Sequence, residues 1–235
     1  GCSCKYSGRY EEALRLFEKA VSLRTEKESI VFFRGLGDCY ERLRRFDKAA
    51  EAYEKNKSEF PENASVRWDL AELYCKIGTA PMLDRAILET EEILELKKIR
   101  KSYYLVKLAD IYQLKEDYAK AIELCEKALK EEPGYSRAYM RLADIYLNGM
   151  KNSRKALKTM KTAFVSLRET DALYEDCLRV MTEILGTRGS FKAARSYGDK
   201  AIGVWEKEYG SLQAYLDMKK YRNARLYLLG KVYYF

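Results

Sequence analysis

The sequence contains no histidine, and its 235 residues include only 3 prolines and 13 glycines. The absence of histidine excludes Ser-His and Cys-His nucleophile pairs, histidine-ligated metals and an imidazole pH switch. The scarcity of proline and glycine argues against collagen-like, linker-rich and turn-rich all-β architectures, which need these residues in the backbone. No apolar run reaches the ~18 residues of a membrane span, so we expect no membrane insertion. A mostly helical chain with a hydrophobic core is the class that remains.

The six cysteines lack the paired spacings of a zinc site or of a small disulfide framework. We therefore expect reduced thiols and a cytoplasmic or nuclear location, because oxidising compartments select against unpaired cysteines. The sequence also has no glycine-rich phosphate loop, no cluster of metal ligands and no nucleophile-base pair. It predicts neither an enzyme nor a cofactor.

Positive charge is concentrated in the last third of the chain. Residues 1–100 contain 19 basic and 19 acidic side chains, residues 101–150 contain 8 of each, and residues 151–235 contain 17 basic and 9 acidic side chains. The net charge of +8 therefore belongs to one end of an otherwise neutral chain. Such asymmetry indicates a local basic surface rather than general affinity for polyanions.

A short pattern of a small residue, an acidic residue, any residue and tyrosine occurs four times. The four tyrosines are Tyr40, Tyr74, Tyr112 and Tyr146, and their spacings are 34, 38 and 34 residues. A second block with helical periodicity follows each copy and carries a small residue, as at Ala49. A period of this length with two helices per unit is typical of a solenoid.

The pattern resembles the tetratricopeptide repeat, a pair of antiparallel helices of about 34 residues. The best copy has Leu105, Leu108, Ala109 and Tyr112 in its first helix. Its second helix carries the hallmark residues Tyr118, Ala121, Cys125 and Ala128, followed by Pro133. The resemblance implies an all-α fold, a right-handed α-solenoid in which small residues let helices approach and the tyrosines pack in the core. It also implies one solenoid over 1–235, with units at about 1–29, 30–63, 64–101, 102–135, 136–174 and 175–210 and a partial unit at 211–235.

Some parts of the chain depart from the repeat. Three extra residues are expected around Thr79–Met82 and one near Gly149–Lys151. At the start, Gly1–Cys4 correspond to the end of a first helix and Tyr10–Leu23 to its partner helix. At the other end, Arg222–Phe235 resembles the first helix of another unit. Because neither end has a polar capping repeat, we expect a segment of a longer array or end-to-end self-association.

In this family the first helices line a concave groove that binds peptides, and the resemblance implies that groove here. One row of it contains an acid in each of five repeats, namely Asp38, Glu72, Asp110, Asp144 and Glu183. The pairs Arg34 with Asp38 and Arg141 with Asp144 are spaced to interact along one helix. Two interpretations stay open: mutual neutralisation on solvated helices, or polar recognition of a peptide. The predicted groove residues are Arg34, Asp38, Trp68, Asp69, Glu72, Tyr103, Lys107, Asp110, Arg137, Met140, Arg141 and Asp144.

Some relatives bind the terminal carboxylate of a peptide with Lys, Asn and Arg at fixed groove positions. Arg137 and Arg141 match one half of that clamp. Lys107 replaces an Asn, however, and Asp69 at another clamp position would repel a carboxylate. The sequence therefore favours at most a partial anion site at Lys107, Arg137 and Arg141.

Basic residues are concentrated in two stretches of the last third of the chain. In the second stretch they are interspersed with tyrosines. Cations with aromatic rings can bind nucleic acid through phosphate contacts and base stacking, although outward charges on a repeat helix are also ordinary. The candidate contacts are Lys151, Arg154, Lys155, Lys158, Lys161, Lys219, Lys220, Arg222 and Arg225.

Two functions therefore stay open. The first is a scaffold or adaptor that binds proteins or peptide segments, as part of a larger protein or multi-subunit assembly. The second is a basic helical-repeat protein that binds RNA or DNA through its C-terminal third.

Overall fold

The computed structural model describes residues 2–23, 29–167 and 173–209. Within these residues all regular structure is helical, which confirms the predicted all-α class. The helices are α1 (Cys2–Leu23), α2 (Ser29–Arg42), α3 (Phe46–Glu59), α4 (Ala64–Ile77), α5 (Ala80–Leu94), α6 (Lys101–Leu114), α7 (Tyr118–Glu131), α8 (Ser136–Asp144), α9 (Ser153–Ser166), α10 (Tyr174–Thr187) and α11 (Phe191–Tyr209). A π-helical turn, Ile145–Gly149, continues α8.

The chain divides into two compact units, the N-terminal unit up to Lys115 and the C-terminal unit from Glu116. In each unit successive helices pack as pairs, as α2 does with α3 and α10 with α11. Helices that pack together across turns of a few residues run antiparallel. The first helices of consecutive pairs also touch, since α2 contacts α4 and α8 contacts α10.

Local sequence explains where α4 begins and ends. The side chain of Asn63 accepts hydrogen bonds from the backbone N–H groups of Ser65 and Val66, which caps the helix N-terminus. Val66, Leu70 and Leu73 recur at helical spacing and are fully buried. The helix ends at Gly78, whose positive φ of 73° suits a residue without a Cβ atom.

Small residues mark the contacts between paired helices. Ala49, Ala109 and Ala121 have no exposed surface, as predicted for the positions where two helices approach. Gly37 of α2 faces the ring of Tyr53 in α3, and Tyr53 is 1% exposed. The predicted core tyrosines differ among themselves, because Tyr74 is buried whereas Tyr40, Tyr112 and Tyr146 remain partly exposed.

The extra residues of the third repeat do not lie around Thr79–Met82, so that prediction is wrong. The turn between α4 and α5 has only two residues, because Gly78 in the left-handed conformation reverses the chain at once. Six residues, 95–100, instead separate α5 from α6, whereas four separate α3 from α4. The additional length therefore enlarges the loop between repeats.

The extra residue predicted near Gly149–Lys151 is accommodated by the π-helical turn. There the backbone N–H of Met150 donates to the carbonyl of Ile145, 2.9 Å away, which is the i to i+5 bond of a π-helix. Gly149 makes room for the ring of Tyr118, because a Cβ atom at this position would lie 2.6 Å from its Cε1.

The N-terminal helix is longer than predicted. Gly1–Cys4 and Tyr10–Leu23 were expected on two helices, but α1 runs without a break from Cys2 to Leu23. The intervening stretch contains one glycine and no proline, and an isolated glycine costs a helix only about 1 kcal/mol. The predicted helix at Arg222–Phe235 lies outside the described residues.

The Gly37 contact can be tested by Gly37→Ala. A methyl group here would lie 2.2 Å from Cε1 of Tyr53, so the buried ring must move, and we expect a loss of about 1–3 kcal/mol in the free energy of unfolding. Urea denaturation measures it. The matched control is Gly203→Ala in α11, where nothing lies within 4 Å of the added Cβ atom and the helix should gain up to about 1 kcal/mol. Equal stabilities of wild type and Gly37→Ala would contradict the steric argument.

Candidate peptide-binding surfaces

In the N-terminal unit, the predicted groove residues lie on the first helices α2, α4 and α6. Arg34 of α2 reaches across to α4, where its Nε donates to the Oδ2 of Asp69 at 2.5 Å and its Nη2 donates to the Oγ of Ser65 at 3.0 Å. Arg34 was expected to pair with Asp38 along its own helix. Among the described residues it pairs with Asp69 instead, because the two helices pack close enough for the guanidinium to bridge them. This contact ties two consecutive repeats together.

Burial raises the pKa of Asp69 to about 6. The guanidinium of Arg34 opposes that shift, while the carboxylates of Asp38 and Glu72 add to it. Asp69 therefore changes charge within the range of pH in which proteins are usually handled. The Arg34–Asp69 pair is a contact whose electrostatics depend on pH.

Lys107 of α6 lies over two aromatic rings. Its Nζ is 4.7 Å from the ring centroid of Trp68 in α4 and 5.6 Å from that of Tyr103 in its own helix. The rings of Tyr103 and Tyr104 meet edge to face, with centroids 5.0 Å apart. The contact of Lys107 with Trp68 joins α4 to α6, as does the contact between the rings of Trp68 and Tyr104, whose centroids lie 6.4 Å apart. Each contributes on the order of 0.5–1 kcal/mol.

The predicted row of acids lies beside other polar groups. The hydroxyl of Tyr53 lies 2.8 Å from Asp38 and 2.9 Å from Glu41, so its one proton is available to either carboxylate. Glu72 lies 3.7 Å from the ammonium of Lys76. Close to Glu72 and Asp110, the thiol of Cys75 has its pKa raised to about 11, first by burial and then by these two carboxylates. At neutral pH it therefore stays protonated and is a poor nucleophile.

The C-terminal unit contains a cavity of ≈ 250 Å³ between α8, the π-helical turn and α10, which we call the arginine cavity. Four of the predicted groove residues line it. Its full lining is Arg137, Met140, Arg141, Asp144, Leu147, Asn148, Arg179, Val180 and Glu183.

The charges of this cavity are partly paired within the unit. As predicted, Arg141 bonds to Asp144 along the helix, with 3.4 Å between Nη1 and Oδ2. Asn148 donates to the other oxygen of Asp144 at 2.7 Å, and Arg179 donates to Asp176 at 3.1 Å. The cavity thus has three guanidinium groups and two carboxylates beside the apolar surfaces of Met140 and Val180.

Arg179 was not among the predicted site residues, although the sequence carries a signal for it. It precedes the acid Glu183 by four residues, as Arg34 precedes Asp38, so the repeat register places it on the first-helix face. Leu147 and Asn148 had no such signal. They line the cavity because the π-helical turn widens the end of α8, which spacing alone does not predict.

The predicted basic residues of α9 point away from the core. Arg154, Lys155, Lys158 and Lys161 are exposed, while Ala156, Met160 and Ala163 on the other side of the helix are fully buried. Lys151, in the turn before α9, is exposed as well. The amphipathic character predicted for this helix is confirmed. The remaining basic residues of that prediction, Lys219, Lys220, Arg222 and Arg225, lie outside the described residues.

In the part of the chain that the structure describes, no helix is long and apolar enough to cross a membrane. No group of cysteine, aspartate and glutamate side chains within these same residues is arranged to hold a metal ion.

Asp69→Asn tests the electrostatics of the Arg34 contact. Native Asp69 holds its proton to about pH 6, whereas the unfolded carboxyl releases it near its ordinary pKa of 3.8. The folded state therefore binds more protons between these values, and wild-type stability should fall as pH rises through this window and then level off. The amide cannot ionise, so from pH 4 to pH 7 the variant should gain about 1–3 kcal/mol relative to wild type.

Urea unfolding at several pH values measures this difference. Glu91→Gln, at an exposed position of α5, is the control and should leave the pH profile unchanged. Parallel profiles for wild type and Asp69→Asn would show that Asp69 does not titrate in this window.

Comparison with curated proteins finds no match for this sequence. Solved structures with a similar fold include a tetratricopeptide repeat protein from Parabacteroides merdae, with 19% identity, a TM-score of 0.59 and coverage of 85% of this chain and 74% of the other. A thermophilic TPR protein of Thermus thermophilus has 16% identity and a TM-score of 0.59 over 88% and 99% of the two chains. PilW, a type IV pilus biogenesis factor, has 17% identity and a TM-score of 0.59 over 85% and 88%. At these identities the similarity concerns the fold, and it confirms the predicted helical-repeat class.

The family model described as "Tetratricopeptide repeat protein 21 ARM repeat" matches residues 2–163, which is more than half of the chain. The match includes the four tyrosine-containing copies of the repeat. The chain therefore belongs to the tetratricopeptide repeat protein 21 ARM repeat family.

Proposed function

We propose that this protein is a non-enzymatic scaffold that binds peptide segments of partner proteins on its first-helix surfaces, within a larger assembly. The repeat family supports a role in protein interaction, since stacked helix pairs present extended surfaces to partners. The four described cysteines that are free thiols fit the cytoplasm or the nucleus.

The arginine cavity is the observation that carries this proposal. On the first helices of the N-terminal unit, Arg34 and Lys107 are engaged with Asp69 and with aromatic rings. In the C-terminal unit, three guanidinium groups line one cavity that also has apolar walls, and two of them are paired with acids of their own helices. Guanidinium groups bind carboxylates through paired, charge-assisted hydrogen bonds. The partner segment we expect here carries a carboxylate next to an apolar side chain.

Arg141→Glu tests the cavity. The new carboxylate would face Asp144 and Glu183, so the binding of a fluorescent peptide that ends in leucine and aspartate should weaken by roughly tenfold or more. Fluorescence anisotropy measures the affinity, and thermal unfolding checks that the variant is folded. Arg137→Glu, at an exposed position, should also weaken binding without a risk to the core. Arg154→Glu on α9 is the matched control, and equal affinity for all three variants would rule the cavity out as the binding site.

Nucleic-acid binding is a second candidate, favoured by the exposed cations of α9, a helix without an acidic residue. Phosphate contacts release counterions, so the affinity for a single-stranded oligonucleotide should fall steeply with salt, and Lys158→Glu with Lys161→Glu should reduce that slope. Purification of partners from a cell lysate with and without nuclease separates the two functions. Protein partners that survive nuclease support the scaffold, and partners lost with the nucleic acid support the alternative.

A further inference from the structure

The loop between α5 and α6 is longer than the loops between α3 and α4 and between α7 and α8, and it is strongly basic. Six residues separate these helices, whereas four separate α3 from α4 and four separate α7 from α8. Lys97, Lys98 and Arg100 lie within this loop and are exposed. Insertions in helical repeats map to loops on one face, which is often a binding face.

This loop forms one side of a cleft of ≈ 1170 Å³, which we call the insertion cleft. The loop between α3 and α4, residues 60–63, also lines the cleft, together with the start of α4 and the first turn of α6. Its larger apolar and aromatic lining residues are partly exposed, namely Phe60, Leu96, Ile99, Tyr103 and Tyr104. The edge-to-face contact between the two tyrosine rings holds that wall of the cleft in a fixed arrangement.

The charge around the cleft selects the kind of partner. Its three basic side chains all come from the inserted loop, and they outnumber the two carboxylates of Glu62 and Glu95. The aromatic and aliphatic surfaces provide contacts for apolar side chains, while the cations on the rim attract carboxylates. A free phosphate ion would leave the apolar lining unused.

We propose that the insertion cleft binds an acidic protein segment whose apolar side chains pack against Phe60, Ile99 and Tyr103. The carboxylates of the segment lie next to Lys97, Lys98 and Arg100. This contact surface belongs to the N-terminal unit and is separate from the arginine cavity, so either site can fail without the other.

The experiment measures binding of a fluorescent peptide of alternating aspartate and leucine to the full chain. The charge-reversal variant Lys97→Glu with Lys98→Glu should bind this peptide roughly tenfold more weakly than wild type does. The matched control is Lys127→Glu with Lys130→Glu, which reverses two exposed lysines of α7 that do not line the cleft and should keep wild-type affinity. Ile99→Ser should also weaken binding of the peptide. Because the contact that it removes is apolar, this loss of affinity should persist at high salt. The same variants are also compared in an Arg141→Glu background, which removes the contribution of the arginine cavity to binding of this peptide.

Three results would overturn the proposal. The first is equal affinity of wild type and the Lys97→Glu, Lys98→Glu variant. The second is equal binding of a peptide in which lysine replaces aspartate. The third is tighter binding of a single-stranded oligonucleotide that competes with the peptide, which would assign the cleft to nucleic acid. Thermal unfolding of each variant confirms that lost affinity reflects the surface rather than the fold.

Discussion

The close approach of paired helices is the constraint on which the rest of this structure depends. Each helix pair buries its apolar side only against neighbouring helices, so the pairs must pack without gaps. Residues without bulk make that possible at Gly37, Ala49, Ala109 and Ala121. The second helix of each pair covers one side of the first helix. Another side of the first helix is therefore left for polar and aromatic side chains, which can vary. In such a molecule, functional differences therefore come from the surface residues of the first helices, while the packing of the helix pairs stays uniform.

The two units use that face differently. In the N-terminal unit, Arg34 and Lys107 connect successive first helices, so charge and aromatic surface contribute to cohesion between repeats. In the C-terminal unit, Arg137, Arg141 and Arg179 surround a cavity. The same kind of residue therefore connects first helices in one unit and lines a cavity in the other.

The sequence predicts the periodic part of the molecule and fails where length changes locally. The tyrosine spacing predicts paired helices, and the spacing of Arg141 and Asp144 predicts their ion pair. Contacts between repeats are harder to predict. Arg34 pairs with Asp69 rather than with Asp38 because α2 and α4 pack closely. The distance between these two helices cannot be derived from the spacing of residues in a single sequence. Inserted residues are equally ambiguous, since a repeat period shows that a unit is longer but not which loop contains the extra length.

The π-helical turn at Ile145–Gly149 shows how repeats of one chain diverge. One residue added to an ordinary α-helix rotates everything after it by ~100°, which would turn the buried side of the next helix outward. Here one wide turn absorbs the added residue, so Ala156 and Met160 keep their buried positions in α9. An insertion of a single codon thus changes the lining of a cavity and leaves its framework in register. Evolution can alter the specificity of such an array one repeat at a time.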